Sequence, residues 1–215
     1  NIIMPSFTFI ATANSAFFVD AEPNFADIED TTFGLDINSI KSKINKNTKA
    51  IIPVDIGGTS SNILKINQIA QENNLVVIED AAESLGSTIN NKKIGSISDI
   101  SVFSFCGNKV LTTGEGGAIA TNSKKIYEKI KLIRSHGRQD NINYFNNPEE
   151  SEYLGIGYNW RMSSMTAALG LTQLKKLDKI IKMRQQNAKF ISSKLDNIKE
   201  ISTPKTLENA NHIFQ

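Results

Sequence analysis

Short apolar runs alternate along this chain with segments whose apolar residues step by three and four, a pattern that predicts strands separated by helices. Asn1 to Met4 reads as a short strand stopped by Pro5. Ser6 to Asn14 reads as a loop entering a short helix, and Phe17 to Phe25 as a strand around Ala21-Glu22-Pro23. In Asp36 to Lys43, Ile37, Ile40 and Ile44 share one helical face, and Asp36 stands where a cap is needed. Ala50 to Val54 and Leu75 to Ile78 are uninterrupted apolar runs, as in parallel strands covered on both faces. Between them, Ser61 to Asn73 brings Ile63, Ile66, Ile69 and Ala70 to one side of a helix. Strand, helix and strand with short joints make a βαβ unit, whose crossover should be right-handed.

Further on, Gly86 to Gly95 reads as a hairpin turning at Asn90-Asn91, with Lys92 and Lys93 as solvated edge charges. Asp99 to Phe105 and Gly117 to Ala120 predict two more strands. Ser123 to His136 predicts a helix with Ile126, Ile130 and Ile133 on one face, ended by Gly137, where His136 is a helix-end cation. Gln139 to Glu152 is polar and reads as a loop that could lie over a site. Ser163 or Ser164 caps a long helix expected to reach the neighbourhood of Thr206, interrupted near its middle or end. Its stripe is Leu174, Leu177, Ile181, Ala188, Ile191 and Leu195, with Arg184 in the remaining slot.

Composition narrows the classes. The chain has 215 residues, 40% hydrophobic and 21% charged, enough for one good-sized domain with an appendage. A net charge of +2 argues against nucleic-acid or anionic-membrane partners. The single cysteine excludes an internal disulfide framework and points to a reducing compartment, and no apolar run approaches membrane-spanning length. A cytoplasmic protein is therefore expected. Both ends stop in mid-pattern, so the chain is expected to be a piece lacking sequence on each side.

Candidate chemistry concentrates in SVFSFCGNKVLTTGEGGAIAT, Ser101 to Thr121. It reads as strand, loop, glycine-rich turn and strand, and presents Lys109 at the mouth of a sheet. Among 24 Lys+Arg an arbitrary lysine is a solvated surface group. A partly desolvated amine, however, loses its proton more readily and attacks carbonyl carbons. The Leu75 strand ends in Glu79-Asp80, and in open α/β sheets ligands sit at the carboxyl ends of strands. An acid placed there can hold a ring nitrogen protonated, which makes an electron sink of pyridoxal phosphate. The glycine-rich run matches neither GxGxxG nor a P-loop, and no metal-ligand cluster stands out.

These stretches, with PSFTF at Pro5, KAIIPV at Lys49, IEDAAES at Ile78, FSFCGNKVLTTGEGG at Phe103 and LGIGYNWRMSSMTAALGLTQL at Leu154, strongly resemble the DegT/DnrJ/EryC1/StrS family of pyridoxal-phosphate sugar aminotransferases. The resemblance covers essentially the whole chain, in order. It implies an α/β fold, the large domain of a fold-type-I transferase, with a mostly parallel sheet and helices on both faces. Residues 1–200 would be the cofactor-binding large domain, shortened at its amino end, and 201–215 the start of a small carboxyl-terminal domain.

The resemblance also implies roles. Lys109 would carry pyridoxal 5′-phosphate as a Schiff base and move the proton. Asp80 would hold the ring nitrogen protonated, and Phe9 would stack on the ring face; without a cofactor, Phe7, Phe9, Phe17 and Phe18 read as core packing. Ser104 would bind the phosphate. Glu83 lies near the ring's phenolic oxygen, where the family often has Gln or His; as a plain residue it is a helix-start acid. Asn159 resembles the residue that reaches the neighbouring subunit's cofactor phosphate, and Arg161 would hold substrate or the interface; both are otherwise loop residues. The family commonly has His where Asp55 stands, so no role passes to Asp55. The implied reaction moves an amino group, usually from glutamate, to a nucleotide-linked keto-hexose in a homodimer with shared sites, feeding surface-polysaccharide or glycoside synthesis. Two rivals remain. A sugar dehydratase of the same family has His in place of Lys109. A non-catalytic homologue acting as a partner would not need Lys109, Asp80 and Ser104 together.

Overall fold

The structure is a computed structural model that describes residues 1–139 and 152–215. The polar loop expected between Gln139 and Glu152 therefore falls, at 140–151, outside the described residues. In chain order the elements are β1 (Ile2–Pro5), α1 (Ile10–Phe17), β2 (Pro23–Ala26), α2 (Ile37–Lys43), β3 (Ala50–Ile51), α3 (Ile63–Glu72), β4 (Val76–Asp80), β5 (Thr88–Ile89), β6 (Lys92–Lys93), β7 (Ile100–Ser104), β8 (Gly117–Ala120), α4 (Lys124–Arg134), α5 (Ser164–Leu174), α6 (Leu177–Leu195) and β9 (Ala210–Asn211).

A six-stranded sheet runs in the order β2-β1-β3-β4-β7-β8. Its pairings are parallel except the last, where β8 returns antiparallel to β7. The expected mostly parallel sheet is thus what the chain forms. Helices lie on both of its faces. On one, Ile40 of α2 and Ile63, Ile66, Ile69 and Ala70 of α3 pack on Ile3, Ile51 and Val77. Each fully buried isoleucine there contributes about 2 kcal/mol by its removal from water. On the other, Ala13 and Ala16 of α1 pack on Met4 and Ile52. Small alanines let that helix lie close to the strands. The expected cap is present: Asp36 accepts from the Ser39 backbone N–H at 2.7 Å. The hairpin β5–β6 turns at Asn90 and Asn91, both in the left-handed region that a tight turn requires.

Five expectations need correction. Pro5 lies inside β1, paired with Ala26, instead of before its end. Phe17 closes α1, and the following strand starts only at Pro23, after a left-handed turn at Asp20. Phe7, Phe9, Phe17 and Phe18 are all exposed, so they are not core. The cover of the Leu75 strand is uneven: Val77 and Glu79 are fully buried on one face and Ile78 packs on the α1 cluster on the other, while Val76, at the strand's start, is exposed. The long helix is interrupted, as expected, but ends early. It breaks at Lys175-Lys176, α6 starts at Leu177, and its last residue is Leu195, well before Thr206. Of the α6 stripe Ile181 is buried, against Val110 and Ile213, and Ile191 is exposed.

Past α6 the chain returns to the sheet domain. β9 pairs antiparallel with β5, and Ile213, fully buried, donates its N–H to the Gly58 carbonyl. His212 is buried, stacks on Phe214 with ring centres 3.9 Å apart, and is pushed down by burial to about 4.

The stretch after α4 is tied down through a glycine. Gly137 has φ +74° and donates to Leu132, and its carbonyl accepts from Leu154. A Cβ at this position would run into the carbonyl of Gly155. Gly137→Ala is therefore expected to release residues 153–160 at a cost of about 1–2 kcal/mol, since both the left-handed backbone and the close approach are lost. Hydrogen exchange at the Leu154 amide would report it; unchanged protection would show that the segment is held elsewhere.

Candidate active site

The parallel strands all end at the same edge of the sheet, and Asp80, Glu83, Ser104 and Lys109, four of the side chains expected to do chemistry, lie there. The register decides which way they point. Asp80 on β4 stands opposite Val102 on β7, so Asp80, Val102 and Ser104 share one face, the face of α1, while Glu79, Ser101 and Phe103 share the other. Asp80 and Ser104 thus open on the same space. The Asp80 carboxylate is oriented through both oxygens: Oδ2 accepts from Thr12 Oγ1 of α1 at 2.8 Å and Oδ1 from the Ala82 N–H at 3.2 Å. Thr12 in turn shares a 2.9 Å hydrogen bond with Thr8. Phe9 stands at the N-cap of α1, 78% exposed, one turn before Thr12.

Lys109 comes from the loop between β7 and β8. That loop is closed at its base by Phe105 N–H to Gly116 O at 2.8 Å and Thr113 N–H to Phe105 O at 2.9 Å, with Gly114 supplying a left-handed turn at φ +80°. The Lys109 side chain is 14% exposed, and its Nζ lies 3.1 Å from Glu83 Oε1. The other oxygen, Glu83 Oε2, accepts from the Gly57 N–H at 2.8 Å. Glu83 sits three residues after Asp80, so one short turn carries both the Asp80 carboxylate and the partner of the amine. The fold brings Asp80, Glu83, Ser104 and Lys109 to one edge. Ser104 Oγ accepts from the Cys106 N–H at 3.3 Å, which keeps the hydroxyl proton free to point outward.

Asn159 and Arg161 lie elsewhere. Asn159 bridges Ser135 at the end of α4, and Arg161 Nη1 donates to the buried Ser135 Oγ at 3.1 Å. Among the described residues no hydrogen bond joins either to Lys109, Glu83, Asp80 or Ser104. A shallow polar cavity between Asn67, Gln71, Asp99 and Asn122 sits at the opposite, amino-terminal end of β4 and β7 and has no part in this chemistry. Beneath the site lie two fully buried carboxyls. Asp55 accepts from the Ser61 N–H at 2.7 Å and from Ser84 Oγ at 2.9 Å. Glu79 accepts from Ser101 Oγ at 2.6 Å and the Gly95 N–H at 3.1 Å. Burial, and then the charge of Glu79, push Asp55 up to about 8; burial likewise raises Glu79.

Sequence reasoning missed Thr12, Asp55, Ser84 and Gln215 as members of this region. Thr12 and Ser84 give no pattern of their own. Asp55 did carry a signal, an acid at the end of a buried strand next to a second such acid.

A carboxylate, a hydroxyl and an amine at the carboxyl edge of a parallel sheet suit a pyridine-ring aldehyde with a phosphate: a ring nitrogen for Asp80, a phosphate oxygen for Ser104, a carbonyl carbon for Lys109. The fold and this donor set define an α/β domain of the aminotransferase type. The chain belongs to the DegT/DnrJ/EryC1/StrS aminotransferase family, whose model matches residues 1–215. It is 37% identical over 214 residues to GDP-perosamine synthase of Caulobacter vibrioides, covering 99% of this chain and 56% of that protein. It is also 37% identical over 207 residues to the UDP-4-amino-4,6-dideoxy-N-acetyl-beta-L-altrosamine transaminase of Campylobacter jejuni, covering 95% of this chain and 54% of that one. Among solved structures, Helicobacter pylori PseC, an aminotransferase involved in the biosynthesis of pseudoaminic acid, superposes with a TM-score of 0.86 at 35% identity, over 92% of this chain and 52% of its own. The chain spans about half the length of the relatives it matches. Among the described residues no helix is long and apolar enough to cross a membrane.

Proposed function

We propose that this chain carries the pyridoxal 5′-phosphate site of a sugar aminotransferase, which moves an amino group from an amino acid, glutamate first among donors, to a nucleotide-linked keto-sugar in the cytoplasm. The observation that carries the reading is the Lys109–Glu83 pair set beside Asp80 at the sheet edge. When bound, the cofactor supplies an electron sink that stabilises a carbanion at the donor's α-carbon. Lys109 Nζ holds the cofactor between reactions and, once displaced, carries the proton between carbons. Asp80, fixed by Thr12 and Ala82, holds a proton at the ring nitrogen. Ser104 Oγ donates to the phosphate, and Phe9 covers the ring. Glu83 orients the Lys109 amine and faces the phenolic oxygen.

Residues 1–200 form the cofactor-binding domain in this reading, and 201–215 precede a smaller one, with 210–215 packed back on β5 and the Gly57-Gly58 turn. The working unit is a homodimer with shared sites, in which Asn159 reaches the partner's phosphate and Arg161 braces the interface or substrate. The exposed run of Tyr153, Ile156, Tyr158 and Trp160 supports such a contact, because so much apolar surface in one segment favours burial.

The test uses the full-length protein loaded with cofactor. Mixed with ¹⁵N-glutamate and a panel of nucleotide-linked keto-hexoses, it is expected to release 2-oxoglutarate and give a ¹⁵N-labelled amino sugar by mass spectrometry. Loading without nitrogen transfer to any sugar would overturn the substrate class; failure to load would overturn the site.

A further inference from the structure

The side chain of Gln215 spans the peptide groups on either side of Lys109. Its Oε1 accepts from the Val110 N–H at 2.8 Å, and its Nε2 donates to the Asn108 carbonyl at 2.8 Å. Its backbone N–H donates to Gly57 O at 2.8 Å. Gly57 N–H holds Glu83 Oε2, and Glu83 Oε1 holds Lys109 Nζ. These bonds close a ring. It leaves Lys109 at the amine, passes through Glu83, Gly57 and Gln215, and returns at the Lys109 backbone.

Gln215 is itself anchored. Ile213, fully buried, packs with Val110 and Ile181, and its N–H bonds Gly58 O at 2.8 Å. Arg184 Nη1 donates to Phe214 O at 3.0 Å, and the Phe214 N–H donates to His212 Nδ1 at 2.9 Å. The approach to the Gly58 loop is close enough that a Cβ on Gly58 would meet Ile213 and the Gln215 nitrogen. The site loop is therefore braced by a segment more than a hundred residues further along the chain, on the far side of α6.

We propose that Gln215 is a positioning residue for Lys109: it sets the loop backbone from which the amine reaches the cofactor's carbonyl carbon. The proposal rests on Lys109 being the residue that holds the cofactor. The amide is the chemical group suited to the task, with one acceptor and donors on a flat end that can face a peptide N–H and a peptide C=O at once. A glutamate would still accept from Val110 but would set a carboxylate against the Asn108 carbonyl. An alanine would do neither. Small displacements of a reacting group are costly, because the amine must meet the carbonyl carbon at attack distance.

The test compares Gln215→Ala and Gln215→Glu with wild type in the full-length protein. Without cofactor, hydrogen exchange at the Val110 amide is expected to be roughly tenfold faster in Gln215→Ala, while the Val77 and Ser101 amides in the sheet keep their rates. On adding pyridoxal 5′-phosphate, the visible band of the lysine-bound cofactor is expected to grow roughly tenfold more slowly in Gln215→Ala. In Gln215→Glu the Val110 amide should stay protected and the rate recover in part. Unchanged exchange at Val110 would overturn the brace. Equal acceleration at Val110, Val77 and Ser101 would reduce it to general stability, and wild-type loading despite a loosened Val110 would remove its bearing on Lys109. Failure of the underlying reading looks different: the band would then form in Lys109→Ala, which no Gln215 result can mimic.

Discussion

Lys109→Ala is expected to leave a folded protein that forms no lysine-bound cofactor band and transfers amino groups at least about a thousandfold more slowly. The fold should survive because the lost interaction is a partly exposed ion pair. The Glu83 side chain, 33% exposed, can turn to water while keeping the Gly57 N–H, and such pairs contribute no more than about 1 kcal/mol. On the proposed reading the chemistry should not survive, because the same atom would both hold the cofactor and move the proton. Two measurements separate these effects. Circular dichroism and thermal melting should match wild type to within a few degrees, while the visible band is absent. An undiminished band in the variant would mean that another lysine does the work, and the site at the end of β7 would be wrong. Adding a primary amine should restore part of the proton transfer, since a free amine can enter the space left by the side chain.

The central part of this site was legible in the sequence because it follows from local rules. An apolar run ending in acids marks a strand's carboxyl edge, and a lysine between two strands with glycines behind it marks a loop at that edge. Asp36, Asn90-Asn91 and the inward face of α3 were readable for the same reason. Strand alternation also separates Glu79 from Asp80: adjacent residues on a strand point to opposite faces, so one acid had to enter the core when the other entered the site. The unbroken run Leu75–Ile78 hid this, since it reads as covered on both sides. What was not legible is long-range. Thr12 lies 68 positions from Asp80, and Gln215 lies 105 from Val110. Neither carries a periodic signal. An interruption of the long helix was expected, but its place at Lys175-Lys176 was not legible, because no proline or glycine marks it and lysine is a good helix former. The exposed phenylalanines mislead in the other direction: their chemistry says core, and their place on a surface that the described residues leave largely uncovered decides otherwise.

The second large effect concerns the buried acids beneath the site. Asp55 and Glu79 are fully buried, and burial together with the charge of Glu79 raises Asp55 to about 8 from 3.8. Between those two values the folded chain keeps a proton that the unfolded chain has lost. Stability from this group is therefore greatest in acid, declines by up to about 1.4 kcal/mol per pH unit as pH rises through that window, and levels off above about 8. His212 slopes the opposite way. Its folded value of about 4 lies below its unfolded 6.5, so stability declines as pH falls between them. Burial also raises Glu79, which slopes the same way as Asp55, so Asp55→Asn removes the Asp55 slope and keeps those of Glu79 and His212. An asparagine still accepts from the Ser61 N–H, and its amide can donate to Ser84 Oγ, so the two hydrogen bonds persist with their direction at Ser84 reversed. The variant is expected to be more stable than wild type at about pH 9, by several kcal/mol, the sum of that slope over the window, and to differ little from it near the acid limit. Urea unfolding across the pH range decides the matter. Parallel curves for the two proteins would show that Asp55 is ionised in the fold, and a variant weaker at every pH would show that the reversed bond at Ser84 outweighs the buried charge.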